Sequence, residues 1–182
     1  ALGLFEKSLK IEKELNNKLG LAINHHNIGY AQEAIGMLDE ALVNYQTSLK
    51  YNNEIDSDIG RVICYNSIGK LDILKGDYET ALPILEKALE KAKIVNDKYY
   101  ISTSYSNLGL LNLKLEDFKA SETHLKEALR IAKKFNLKSQ ESETYNHLAL
   151  LEEELGDFKS SLHYYKQYVA LDQSITNEKN FQ

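Results

Sequence analysis

The chain has 182 residues, one proline, one cysteine, no tryptophan and a formal charge of −5. Such a length can bury a sizeable core, and the scarcity of breakers among abundant Leu, Ala, Lys and Glu points to an all-α protein. The acidic balance argues against direct nucleic-acid binding, a single cysteine excludes an internal disulfide framework or cysteine-based zinc site, and no window of 18 apolar residues spans a membrane.

The chain opens on Ala1-Leu2-Gly3-Leu4-Phe5, without Met and with a helical pattern. Residues 1–16 therefore read as the second helix of a truncated unit, in a fragment of a longer protein. A 40-residue step then governs everything that follows. It links Gly29, Gly69, Gly109 and Ala149, and it links Gly36, Gly76, Glu116 and Gly156. Leu9, Leu49, Leu89, Leu129 and Val169 share a further register. A fixed period of this size marks stacked supersecondary units. The complete units are 17–56, 57–96, 97–136 and 137–176, with 177–182 as the end of the last helix.

Each unit reads as two helices, roughly 20–35 and 38–54 in the first. The total is about nine, counting the truncated unit. Between the pair lies a turn such as Lys75-Gly76-Asp77-Tyr78. Gly there takes positive φ, and Asp77, Asp117 and Asp157 are expected to N-cap the second helices; Met37 replaces that Asp in the first unit. Turn formers at Asn16, Asp56, Asn96 and Asn136 join successive units. Small residues at 29 and 41, with their equivalents, let the paired helices approach, and large ones at 38, 45, 85, 118 and 165 fill the space. Pro83 falls inside a second helix, where it removes one donor and is expected to bend the helix locally. The last helix is expected to run from Phe158 to Gln182 and to cap the array or continue beyond it.

The doublet His25-His26 looks like chemistry, but neighbouring helical residues point about 100° apart and cannot chelate one ion together. His124, His147 and His163 stand at scattered registers, and Glu152-Glu153-Glu154 fans around a helix end. Cys64 occupies a small-residue slot with no positive neighbour. No metal, cofactor or catalytic constellation is expected.

The motifs Asn107-Leu108-Gly109, Leu115-Glu116-Asp117-Phe118-Lys119-Ala120 and Gly156-Asp157-Phe158-Lys159-Ser160-Ser161-Leu162 resemble the tetratricopeptide repeat (TPR) in its forty-residue variant. The departures are His25, Tyr65, Tyr105 and Tyr145 in the usual Trp slot, and Gln32, Asp72, Asn112 and Glu152 in the usual Tyr slot. The resemblance implies a right-handed solenoid of antiparallel helix pairs, with the first helices lining a concave groove. It implies groove positions Ile23, His26, Tyr30 and Glu33; Asn66, Lys70 and Ile73; Ser106, Leu110 and Leu113; and Asn146, Leu150 and Glu153. Such a surface suits a protein or peptide segment, with Asn bonding its backbone and Leu or Ile taking side chains. Ile73, Leu110 and Leu113 have a second reading, as packing against neighbouring first helices. Lys70 and Lys114 are too few for the carboxylate clamp by which some relatives hold chaperone C-termini. Leu110→Glu is expected to spare the fold while weakening binding.

Leu171-Asp172-Gln173-Ser174-Ile175 resembles the exit helix of repeat domains fused to bacterial sensor kinases or transcription regulators. This suggests a non-catalytic sensory or docking part of a signalling protein, cytoplasmic in a regulator and periplasmic in a sensor. The alternative is a structural spacer or a homodimer formed through the terminal helix.

Overall fold

The computed structural model describes residues 2–180. Among them are nine helices and no strand: α1 (Leu2–Glu14), α2 (Lys18–Ala34), α3 (Leu38–Glu54), α4 (Asp58–Lys75), α5 (Tyr78–Ile94), α6 (Lys98–Lys114), α7 (Phe118–Lys134), α8 (Lys138–Glu154) and α9 (Phe158–Asn180). The expected end of the last helix at Phe181-Gln182 lies outside the described residues. The chain divides into two compact units, Ala1–Val95 and Asn96–Gln182. In the first, α2 pairs with α3 and α4 with α5; in the second, α6 pairs with α7 and α8 with α9. The fold class is thus all-α and built from antiparallel helix pairs.

A left-handed residue follows each helix from α1 to α8: Asn16, Gly36, Asp56, Gly76, Asn96, Glu116, Asn136 and Gly156 all have φ between 51° and 83°. The amide of the next residue then reaches back to a carbonyl five positions earlier, as in Asp77 N–H to Asp72 O (2.8 Å) and Asn17 N–H to Glu12 O (2.9 Å). That bond satisfies a carbonyl orphaned by the helix end. Gly, Asn and Asp tolerate this backbone; Glu116 takes it at φ 59° without their advantage.

The caps hold with one correction. Asp117 accepts from the Ala120 amide (3.0 Å), and Asp157 from the Ser160 amide (3.1 Å) and hydroxyl (2.7 Å). Asp77 makes no such side-chain bond. Its ψ is 61°, against 75° at Asp117 and 110° at Asp97, both of which cap. The Thr80 hydroxyl donates instead to the Asp77 carbonyl (2.8 Å).

Pair packing depends on the mid-helix glycines. A Cβ on Gly29 would lie 2.8 Å from Tyr45 Cδ1, and one on Gly69 or Gly109 would lie 2.5 Å from Leu85 or Leu125. Tyr45, Leu85 and Leu125 are fully buried. In the first unit Ala41 and Tyr45 of α3 form a core with Ile68 and Leu71 of α4. The last pair departs from the expectation: Tyr165 is 51% exposed and Phe158 70%. Ala149 carries the methyl for which Gly29 leaves no room, and among the described residues no further helix covers this face of α9.

Candidate functional site

In the first unit the expected stripe runs along α2 and α4. Ile23 is exposed and Tyr30 is 67% exposed, while His26 and Glu33 are half-buried. The histidine doublet splits between two neighbours. His25 Nδ1 lies 2.8 Å from Asn44 Oδ1, with its ring stacked on Tyr51, so it is turned toward α3. His26 Nε2 lies 3.0 Å from Ser67 Oγ on α4, with its ring tilted over Tyr45 at 5.2 Å. Burial holds the His26 pKa below its ordinary value. Tyr45 donates its phenol to Glu33 Oε2 (2.6 Å). Burial first, and then the Glu33 carboxylate, hold that phenol well above the ordinary tyrosine range. On α4, Asn66 and Ile73 are buried and Lys70 is half-buried. Asn66 Nδ2 donates to the Val62 carbonyl at 3.2 Å.

In the second unit the stripe is more closed. Ser106 is buried, and its hydroxyl lies 2.9 Å from His147 Nδ1 and accepts from Thr144 Oγ1 at 3.4 Å. Leu110 and Leu113 are 8% and 5% exposed. Glutamate at 110 would therefore bury an unpaired charge, and the expectation that Leu110→Glu spares the fold is corrected. Asn146 is half-buried, Leu150 is partly exposed and Glu153 is exposed. Beside Glu153, the Glu152 carboxyl is held above its usual range by partial burial, and further by the Asp157 and Glu122 carboxylates.

Two residues that hold this stripe together were not among those expected: Ser67 and His147. Each stands 41 positions after its partner, His26 or Ser106. The pairing at one register is thus His to Ser in the first unit and Ser to His in the second. The only signal in the sequence was that 67 and 147 share a register next to the expected one.

A shallow cleft of about 700 Å³ lies elsewhere, between α6 and α7, lined by Tyr105, Glu122, His124, Lys126, Glu127 and Arg130 among others. Its charges pair internally, Arg130 with Glu127 at 2.7 Å and Lys126 with Glu122. That arrangement marks a solvated helix face. Among the described residues no group of three or more His, Cys, Asp or Glu could hold a metal ion. No helix among them is long and apolar enough to cross a membrane.

The model of one protein family, described as tetratricopeptide repeat, matches residues 61–134 and 100–174. Curated proteins give no match to the sequence. Solved structures do. BtubC (BKLC) from P. vanneervenii is 19% identical, with a TM-score of 0.74, over 96% of this chain and 72% of that one. The apo form of RapI is 20% identical, with a TM-score of 0.79, over 97% of this chain and 62% of that one. YrrB, a TPR protein with an unusual peptide-binding site, is 17% identical, with a TM-score of 0.54, over 94% and 93%. At these identities the likeness is one of fold. The chain spans less than two thirds of RapI.

Proposed function

Starting from a chain that belongs to the tetratricopeptide repeat family, we propose a non-catalytic docking domain that receives a protein or peptide segment on its first-helix stripe. The observation that carries this reading is Tyr30, two-thirds exposed beside Ile23 on α2, while His26 and Glu33 on the same helix are held by Ser67 and Tyr45. A rigid helix that holds an aromatic and an aliphatic side chain in water offers a low-entropy anchor. Ile23 and Tyr30 are then the contact residues of the first unit, and Leu150 and Glu153 those of the second. His26, Glu33, Asn66, Ile73, Ser106, Leu110 and Leu113 hold the helices that present them, with Lys70 and Asn146 at the margin. We place the domain in a bacterial signalling protein, as its sensory or docking part. In support, α9 has 23 residues against 17 in α3, α5 and α7, a length suited to passing on a docking event.

The test uses the segment captured from native lysate and identified by mass spectrometry. Tyr30→Glu and Leu150→Glu should keep the helical circular dichroism and weaken its binding by about tenfold or more, about 1.4 kcal/mol. Unchanged affinity in both folded variants would sink the reading.

The exposed Phe158, Leu162 and Tyr165 favour a second reading, a homo-oligomerisation module paired through α9. Light scattering across concentration separates the two. A dimer abolished by Tyr165→Glu supports the second reading, and a monomer at every concentration removes it.

A further inference from the structure

The contact between α2 and α4 is made in part through an imidazole. His26 Nε2 meets Ser67 Oγ at 3.0 Å, and the register recurs in the second unit as Ser106 to His147 at 2.9 Å. Asn66 and Asn146 occupy the register of His26 elsewhere, so the fold accommodates an amide at that register. Histidine differs in that it takes up a proton near neutral pH.

We propose that the His26–Ser67 contact is a proton-sensitive latch, which holds α2 against α4 when the imidazole is neutral and loosens when it is charged. The groups facing His26 come from each neighbouring helix. From α3 comes the Tyr45 ring, 5.2 Å away, with its hydroxyl committed to Glu33. From α4 comes Ser67, with Lys70 one turn further along the same face. Helix α1 meets the other side of α2, where Ser8 accepts from Asn24, about 200° round the helix from His26. The only carboxylate among these groups already accepts the Tyr45 hydrogen bond, and a charged imidazole would sit between an aromatic ring and a hydroxyl, partly withdrawn from water. Burial accordingly lowers the His26 pKa.

The sign of the effect follows. An unfolded histidine titrates near about pH 6.5. With the closed-state value below that, closure is fully favoured above about pH 6.5 and loses ground as pH falls toward the closed-state value, where the loss levels off. Closing and opening of α2 would in turn govern how Ile23 and Tyr30 are presented. The latch itself stands on the α2–α4 geometry and not on the docking reading.

The test is an NMR titration of the His26 ring with amide exchange along α2, corrected for intrinsic rates, between pH 7.5 and 5 in the intact chain. The expected result is a His26 midpoint below about 6.5 and a fall in α2 protection of up to about tenfold per pH unit between about pH 6.5 and that midpoint, levelling off below it, with α5 unchanged. His26→Asn should be folded across the range and lose the pH dependence, while His25 remains as an internal control. A midpoint at or above the ordinary value, flat α2 protection while His26 titrates, or unchanged pH dependence in His26→Asn would each overturn the latch. Should His26→Asn fail to fold, the wild-type titration and exchange still decide.

Discussion

Gly109→Ala adds one methyl at the closest approach of α6 and α7. The new Cβ would lie 2.5 Å from both Cγ and Cδ2 of Leu125 and 3.3 Å from its backbone nitrogen. Leu125 is fully buried and has no open space to swing into. The helices cannot simply part, because Ser121 Oγ donates to the Gly109 carbonyl at 2.8 Å. Overpacking of this kind costs about 1–3 kcal/mol, against a gain of about 1 kcal/mol from replacing a mid-helix glycine. The net expectation is a loss of roughly 1 kcal/mol, read from urea midpoints followed by circular dichroism. Leu125→Ala alone should cost about 2–5 kcal/mol through its cavity, and less in the Gly109→Ala background, where the new methyl fills part of that cavity. The coupling energy from the double-mutant cycle should be about 1 kcal/mol or more and favourable. A Gly109→Ala protein more stable than wild type by the full propensity gain, with additive behaviour of the pair, would refute the close-packing argument.

Two further outcomes are expected. Glu116→Gly should raise stability by up to about 1 kcal/mol, because it relieves a left-handed backbone that costs a non-glycine residue about 1–2 kcal/mol, partly offset by glycine's freer unfolded chain; an unchanged or lower thermal midpoint would contradict this. Asp58 accepts from Arg61 at 2.6 Å and from Lys91 at 3.2 Å, and these partners hold its carboxyl below the usual range. Its contribution is present above about pH 3.9, the unfolded value, and is lost as pH falls through the lower folded value. Asp58→Asn should therefore show a shallower acid limb in its stability profile, and a limb superimposable on wild type would count against the pairing.

The 40-residue step made the helix pairs readable because it repeats residues with backbone or packing roles: Gly29 and its equivalents for close approach, Gly36 and Asn16 for left-handed turns. Glu116 was harder to read because its side chain carries no mark of the conformation that its position imposes. The missing Asp77 cap was hidden for a related reason. A cap needs both an acceptor and a side chain turned onto the amide, and only the acceptor is visible in the residue type. Tyr165 was assigned to the filled space by its register, yet it is 51% exposed in the one pair where Ala149 stands in place of the mid-helix glycine.

The stripe shows where such reading stops. Helical offsets state which residues share a face, but not which members of that face another helix has already taken. Leu110 and Tyr30 hold equivalent positions in their units, yet one is 8% exposed and the other 67%. His26 and Ser106 share a register suited to contacting a ligand, and both spend their polar atoms on the neighbouring first helix. A polar group bonded inside the protein gains little by exchanging that bond for one to a ligand, because the partner left behind must be desolvated or rehydrated. Binding energy on this stripe must then come chiefly from side chains that are still in water. On the docking reading proposed above, Tyr30 in the first unit and Leu150 in the second are therefore the positions at which substitution should discriminate between ligands, while changes at 26 and 106 should act on the helices themselves.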